Sequence, residues 1–292
     1  MPSRGRVALL LVVMLLVPRW LTAAPRQYEV KGMVVSLDRA ARRFVASIDA
    51  IPNYMAAMTM PFEVRSAAEL EGLAPGVFVE FTLVVDERSS YATGVRIVRF
   101  QSVEQDPFLA SRLRLLQDII GSPGSKPISV GDLVPDFTLT DQQRRPLTLS
   151  RLRGMVVAIN FVYTSCALPN FCLRLANNFN VLQKRFSRQL GRDLVLLTIT
   201  FDPVHDTPEV LATYAAQWNA DPRTWKFLTG TSEDVRRACQ LFGVHAFANE
   251  GLMDHTLHTV MIDRQGKLAA NVEGNHVTAA QLTDLIESML KR

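Results

Sequence analysis

The chain has 292 residues, of which 48% are hydrophobic and 21% charged, a composition that excludes long disordered or collagen-like tracts and leaves room for two packed domains. The formal net charge is +4, and three of the positive charges lie in the first 24 residues, so the remaining chain carries only +1. That balance, without a basic stripe interleaved with aromatic residues, excludes a nucleic-acid-binding role.

Residues 1–24 are predicted to be a signal peptide. Arg4 and Arg6 precede an unbroken apolar run over residues 7–17, and small residues close the segment. The run is shorter than the roughly 20 residues that cross a bilayer, although a retained membrane anchor is the alternative. We therefore expect a periplasmic or otherwise exported protein, which would be held at a membrane only if this segment is kept.

Residues 28–100 are predicted to form a small all-β barrel. Five short runs rich in Val, Phe and Ile are separated by turn residues such as Pro52-Asn53 and Pro75-Gly76, and no long helical pattern interrupts them. The predicted strands cover residues 30–37, 43–48, 62–64, 77–85 and 93–98. Strands at this spacing favour a closed antiparallel sheet.

Residues 101–129 are predicted to hold an amphipathic helix, over 107–120, and a linker. Gly, Ser and Pro residues at 121–127 end the helical pattern and mark the boundary between two domains.

From residue 130 to residue 292 strand and helix patterns alternate. The predicted elements are a hairpin (136–140 and 146–149), buried strands (155–163 and 194–201), helices (171–188, one opened by Thr207-Pro208, and 234–242), a second hairpin (258–263 and 268–272) and a last helix from Thr278. This order predicts an α/β sandwich around a mixed sheet, which is the thioredoxin-like arrangement.

Three cysteines permit at most one disulfide within the chain and leave one thiol over. Cys166 follows a predicted buried strand and Cys172 lies at the start of the next helix, at the edge where α/β sheets bind ligands. The free N–H groups at that helix start are expected to favour a Cys172 thiolate. Cys239 lies in the apolar end of a predicted helix and is expected to be a small core residue.

The spacing of Cys166 and Cys172 separates two kinds of chemistry. On a continuous helix the two thiols would lie about 120° apart around the axis and roughly 9 Å apart along it. The intervening residues 167–170 must therefore form a loop, as Pro169 also indicates. A loop allows the two sulfurs to meet, either as a disulfide or as two ligands of one metal ion.

Two thiolates suit Cu(I), and an imidazole would complete a three-coordinate site that also accepts Cu(II). Among the five histidines, His255 is the predicted third ligand, because a loop before the strand at 258–263 would reach the cysteine loop. His258 should point to a different face and is predicted to be structural or at the surface. The other three, which are expected to be solvated, are His205, His245 and His276.

Several motifs across residues 130–292 together resemble the SCO/SenC family. They are VGD at 130–132, FTL at 137–139, YTSC at 163–166, TFDP at 200–203, DTPE at 206–209, FLTG at 227–230 and DHT at 254–256, with Ile262-Asp263 and Gly266. The resemblance implies copper binding by Cys166, Cys172 and His255, for delivery to the binuclear CuA centre of cytochrome oxidase. Some members of that family act as thiol-disulfide reductants. Five residues separate the cysteines here, where most members have three, which bears on metal geometry and redox potential.

A methionine cluster in the first predicted domain offers a second soft-metal site. Met58 and Met60 would share one face of a strand, and Met55 lies close in sequence. Thioethers select Cu(I), whereas the alternative is that these methionines fill the core of the barrel.

The segment from 28 to 100 resembles the CusF-like periplasmic copper-binding barrel, whose Met-Thr-Met run matches residues 58–60. The ligand histidine of that family is missing, because Ser47 or Ile48 stands at its place and no histidine precedes His205. We therefore expect a weak or vestigial copper site.

The leading hypothesis is an exported copper-binding assembly factor, whose partner is the CuA-bearing subunit of cytochrome oxidase or another copper or thiol protein. The alternative is an enzyme, a thiol-disulfide oxidoreductase in which Cys166 attacks and Cys172 resolves, and this function does not require His255. A peroxidase of the peroxiredoxin type is disfavoured, because no Pro-x-x-x-Thr/Ser-x-x-Cys run leads to Cys166.

Overall fold

The computed structural model describes residues 25–98, 127–166, 172–249 and 252–291. The predicted signal peptide and most of the predicted helix and linker at 101–129 lie outside these ranges. Within them, no helix has the length and apolar character needed to cross a membrane.

The N-terminal part is a five-stranded antiparallel sheet in the order β3-β2-β1-β4-β5. Its strands are β1 (Arg26–Asp38), β2 (Arg43–Ile48), β3 (Met58–Glu63), β4 (Phe78–Val85) and β5 (Ser90–Ile97), with a 3₁₀ turn at Ala67–Leu70. A further bridge joins Val64, just after β3, to Ala92 in β5. The prediction of an all-β N-terminal region is confirmed, and β3 begins four residues earlier than the sequence pattern indicated.

Alternating side chains of these strands bury one aromatic core. Phe44, Phe62 and Phe81 are each at most 2% exposed, and their ring centroids lie 4.8 to 5.5 Å apart in stacked and edge-on pairs. Aromatic pairs on facing strands stabilise a small sheet beyond the area that they bury.

The C-terminal part is a seven-stranded mixed sheet in the order β14-β13-β8-β9-β10-β6-β7. Its strands are β6 (Thr138–Asp141), β7 (Pro146–Thr148), β8 (Val156–Val162), β9 (Leu194–Thr200), β10 (Trp225–Thr229), β13 (His258–Ile262) and β14 (Leu268–Glu273), and β11 (Ala246–Asn249) and β12 (Leu252–His255) form a separate hairpin. Strands β8, β9 and β10 are parallel, and β8 and β9 are buried along their whole length. The predicted thioredoxin-like α/β fold is confirmed.

In the part of the chain that the structure describes, four helices cover this sheet. They are α1 (Arg174–Arg185), α2 (Pro208–Gln217), α3 (Ser232–Leu241) and α4 (Ala279–Leu290), and a 3₁₀ turn spans Leu149–Leu152. Helices α1 and α4 contact each other and β8, whereas α2 contacts β10 and α3 contacts β6. Thr207 caps α2 with Pro208 in the first turn, as the sequence predicted, and Thr278 caps α4 through a capping box with Gln281.

Two features of this part were not predicted. Strand β10 is only five residues long, and its Lys226, whose ammonium group contacts Asp141 Oδ2 at 3.4 Å, interrupts the apolar pattern of a buried strand. The β11–β12 hairpin was expected to be a loop. His255 is therefore the last residue of β12, where it pairs with Ala246 of β11. Its backbone is held by strand pairing and not by a loop.

Candidate metal centre

The structure brings Cys166 and Cys172 together. Cys166 lies four residues beyond the end of β8 and donates its backbone N–H to the Tyr163 carbonyl at 3.3 Å. Cys172 lies in the turn that leads into α1. The two side chains are hydrogen-bonded to each other, neither forms a disulfide, and they are 7% and 1% exposed respectively. The predicted pair is thus a buried dithiol at the end of a central strand.

The expected Cys172 thiolate is wrong for this state of the protein. The hydrogen bond with Cys166 is the largest cause that raises the pKa of Cys172, and burial and the charge of Cys166 raise it further. Backbone groups of Tyr163 and Cys172 itself act in the opposite direction but are weaker. Two sulfurs in one apolar pocket cannot both carry a negative charge without a cation to compensate. This cost outweighs the stabilisation that the N–H groups at the helix start would give to a Cys172 thiolate.

A buried carboxylate fixes the segment that leads to Cys166. Asp206 is 1% exposed and accepts the backbone N–H of Thr164 at 3.1 Å, and it also accepts the hydroxyls of Thr164 and Thr200. Thr164 comes two residues before Cys166, and Thr200 is the last residue of β9. Asp206 therefore ties the ends of two parallel strands together at the cysteine edge. Its place in the DTPE motif was the available sequence signal, and this structural role was missed.

His255 lies against aromatic side chains beside the cysteine segment. Its ring centroid is 4.5 Å from that of Phe201 and 5.7 Å, edge-on, from that of Tyr163. Its Nδ1 is 3.1 Å from the Thr256 carbonyl oxygen, which only accepts, so Nδ1 carries the proton. In this tautomer the Nε2 atom is the one that can bind a metal or accept from a donor.

The three predicted ligands are not in a ligating arrangement. Among residues 25–98, 127–166, 172–249 and 252–291, no group of three or more His, Cys, Asp or Glu side chains is placed to hold a metal ion. The structure brings the two thiols together and places His255 against Tyr163, the residue that begins the turn to Cys166. A three-ligand site with His255 stays a prediction.

The surroundings of His258, His205, His245 and Cys239 are described by their burial and their partners. His258 is 8% exposed and lies in β13 with Nδ1 2.8 Å from Asn271 Oδ1, so its predicted structural role is confirmed. His205 is exposed and pairs with Asp202, whereas His245 is partly buried, contrary to expectation, and burial lowers its pKa. Cys239 is buried in α3, where burial raises its pKa to about 12, as expected for a core residue.

The three methionines predicted as copper ligands, Met55, Met58 and Met60, are unequally exposed. Met58 is 50% exposed, whereas Met60 and Met55 are partly buried against the aromatic core. In the register of β2 and β3, Met58 faces Ile48 and Met60 faces Ala46, and both facing residues are apolar. On β3, therefore, Met60 packs against the core whereas the thioether of Met58 is half exposed.

Ser47 does not replace the missing histidine of the methionine site. It faces Thr59 in the same register, and strand alternation places both hydroxyls on the face opposite to the methionines. Tyr54, the nearby aromatic residue, stacks on Tyr28 with ring centroids 4.0 Å apart.

Comparison with protein families gives two matches. The SCO1/SenC family model matches residues 125–291, more than half of the chain, and the model for the copper binding periplasmic protein CusF matches residues 27–96.

Individual relatives match the C-terminal part. The SCO2-like protein RT0576 of Rickettsia typhi is 30% identical over 141 residues, which cover 45% of this chain and 65% of the relative, so the chain spans slightly less than two thirds of that protein. The structure of yeast Sco1 with copper bound shares 26% identity at a TM-score of 0.47, covering 55% of this chain and 89% of the other. BsSco, described as a member of the Sco family of cytochrome c oxidase assembly proteins, shares 22% identity at a TM-score of 0.48, covering 58% and 99%.

Proposed function

Because this chain belongs to the SCO1/SenC family, we propose that it is an exported copper-binding protein that delivers copper to, or matures, the CuA site of a respiratory cytochrome oxidase. The observation that carries the proposal is the hydrogen-bonded, buried pair of thiols at the end of β8, with His255 beside it. Yeast Sco1 has been crystallised with copper bound, and BsSco bears the description of an oxidase assembly protein.

The chemistry of the donor set fits copper as cargo. Two soft sulfurs prefer Cu(I), and the cation would remove the electrostatic cause that keeps the Cys172 thiol protonated, so binding would release protons. The Nε2 atom of His255 would supply the third donor, which requires the ring to approach the sulfurs. Because Cys166 and Cys172 are at most 7% exposed, the site limits contact of the bound ion with water and oxidants.

The cysteine pair also supports a second candidate function, thiol-disulfide exchange. Cys166 is the more exposed thiol and would attack a partner disulfide, and Cys172 would resolve the mixed disulfide while passing its proton to the leaving thiolate. The raised pKa of Cys172 disfavours it as the attacking group. This activity would not depend on His255.

The N-terminal sheet supports a weaker, separate proposal. Met58, Met60 and Met55 would bind Cu(I) through thioethers alone, with Met58 as the exposed entry point. The match to a periplasmic copper-binding family, together with the predicted leader at residues 1–24, supports export.

Anaerobic competition for Cu(I) tests the main proposal. The chain from residue 25 to 292 is titrated against a chromophoric Cu(I) ligand as wild type and as Cys166→Ala, Cys172→Ala, His255→Ala and Cys239→Ala variants. Each variant of a proposed ligand should bind more weakly by at least about a hundredfold, more than a supporting residue costs. The Cys239→Ala control, which removes a buried thiol in α3, should match wild type.

Two results decide between the candidate functions. Wild-type binding no tighter than that of a Cys166→Ala/Cys172→Ala double variant would refute the copper proposal. Insulin reduction that needs both cysteines and is unchanged by His255→Ala would favour the oxidoreductase.

A further inference from the structure

One face of the N-terminal sheet contributes side chains to the hydrophobic core of the C-terminal sheet. Met33 and Val35 of β1 are 0% and 3% exposed and belong to the apolar cluster of the C-terminal sheet, whereas their neighbour Val34 belongs to the N-terminal cluster. Val45 and Phe78, on the flanking strands, also pack against the C-terminal cluster. The N-terminal sheet therefore buries apolar side chains on both of its faces, and one face is covered by the other half of the chain.

A carboxylate of α4 binds this covered face. Asp284 Oδ2 accepts the hydroxyl of Ser47 at 2.6 Å and that of Thr59 at 2.5 Å. Ser47 and Thr59 are register partners on β2 and β3, so one acceptor atom binds two strands of the sheet at once. Hydrogen bonds to a charged acceptor are stronger than those between neutral groups.

The turn before β4 packs closely against β14, with little space for a side chain at Gly76. Gly76 has a φ of +90°, and a Cβ added there would lie 3.0 Å from Val272 Cγ2 and 3.3 Å from Ala270 Cβ. The contact is thus made by backbone on one side and by side chains and backbone of β14 on the other. A close approach of this kind is typical of a packed interior rather than of two domains joined by a flexible linker.

We propose that the N-terminal sheet is permanently docked on α4 and β14, and that the hydrogen bonds from Ser47 and Thr59 to Asp284 hold it there. The surface formed by β1, β2 and β4 fits the chain's own C-terminal half. The hydroxyl at position 47 serves this docking and not metal binding. The strand that carries Met58 and Met60 is consequently held in one place relative to the cysteine pair. Copper therefore does not pass from the methionines to the cysteines by movement of the N-terminal sheet. A client that meets the cysteines meets both halves as one rigid surface.

A cut chain tests the docking directly. A protease site inserted after Gly124, between the two halves, is cleaved in the folded protein of residues 25–292, and the dissociation constant of the halves is measured by size exclusion over a dilution series. Asp284→Ala should weaken their association by roughly tenfold or more, and Ser47→Ala/Thr59→Val should do the same. Glu287→Ala is the matched control, because this carboxylate of α4 binds Arg185 within the C-terminal half at 2.9 Å.

Gly76→Ala should weaken association too, whereas Gly94→Ala should leave it unchanged. Gly94 also has a positive φ, of +64°, but an added Cβ would meet nothing within 4 Å. This pair separates the strain of a left-handed backbone from loss of the interface.

The uncut chain gives an independent measurement. After removal of the leader the only tryptophans are Trp218 and Trp225, both in the C-terminal half, so fluorescence reports that half and far-ultraviolet circular dichroism reports both. The two unfolding transitions should coincide in wild type and in Glu287→Ala, and should separate in Asp284→Ala. Halves of the wild type that separate at micromolar concentration, transitions that differ in wild type, or equal effects of Asp284→Ala and Glu287→Ala would overturn the proposal. None of these readouts depends on copper.

Discussion

The buried carboxylate of Asp206 offers a sharp test of how the cysteine edge is held. Asp206→Asn keeps the size of the side chain but replaces one acceptor oxygen by an N–H donor. Both carboxylate oxygens are in use, since Oδ2 accepts the Thr164 N–H and the Thr200 hydroxyl, and Oδ1 accepts the Thr164 hydroxyl. The variant therefore loses at least one acceptor and weakens the bonds that remain.

The magnitude follows from the number and kind of these bonds. A hydrogen bond to a charged group contributes about 1.5–3 kcal/mol, and at 1% exposure water does not replace the lost acceptor. We expect Asp206→Asn to lower the free energy of unfolding by roughly 2–4 kcal/mol. Cu(I) affinity should fall by about tenfold, as expected for a residue that orients a ligand segment.

Asp202→Asn is the matched control. Asp202 lies four residues earlier in the same connection, and its partner, His205, is exposed, so the pair should contribute less than about 1 kcal/mol. Urea unfolding followed by tryptophan fluorescence measures stability, with an unchanged m-value as the sign of two-state unfolding. If Asp206→Asn and Asp202→Asn destabilised the protein equally, or if Asp206→Asn left Cu(I) affinity unchanged, the assigned role of Asp206 would be wrong.

Three further predictions concern the thiols, the core and the methionines. Because the hydrogen bond with Cys166 and burial raise the pKa of Cys172 above its ordinary value of 9.0, iodoacetamide should alkylate Cys172 of the copper-free, reduced protein at about pH 8 more slowly than free cysteine, with a rate that rises above pH 9.0; a rate equal to that of free cysteine would contradict the shift. Trp225→Phe removes the indole N–H donated to Thr198 Oγ1 at 2.9 Å and should cost about 1–3 kcal/mol in urea unfolding, and an unchanged midpoint would argue against a buried network there. Met58→Leu should change stability by less than about 0.5 kcal/mol, because the side chain is half exposed, yet it should reduce Cu(I) binding beyond the first equivalent; unchanged stoichiometry would refute the methionine site.

Most of the fold followed from local patterns in the sequence. The apolar runs of β8 and β9 are strong signals because both parallel strands are buried throughout. The Thr207-Pro208 start of α2 is a second strong signal, because it caps the helix as predicted. Strand β10 was missed because Lys226 reaches Asp141 from a buried strand, a pairing that depends on tertiary structure. The packing of β1 against the C-terminal core was equally hidden, because Met33, Val34 and Val35 are all apolar and do not show a polar face.

The candidate site was predicted in its residues but not in its electrostatics. Strand-end position and spacing identified Cys166 and Cys172, whereas the helix-start argument predicted a Cys172 thiolate, and the second thiol and burial outweigh that effect. His255 was expected in a loop and instead ends β12. Its position against Tyr163 and Phe201 depends on which strands are neighbours, which spacing along the chain does not encode.

Copper K-edge X-ray absorption on the full chain is the most direct test of the central claim. The protein, with Met58→Leu and Met60→Leu to remove the thioethers, is loaded anaerobically with slightly less than one equivalent of Cu(I). We predict two sulfur ligands and one imidazole nitrogen, with loss of the sulfur shell in the additional Cys166→Ser/Cys172→Ser variant. A sulfur shell that persists in that variant, or no sulfur shell in the parent, would contradict copper binding by this pair.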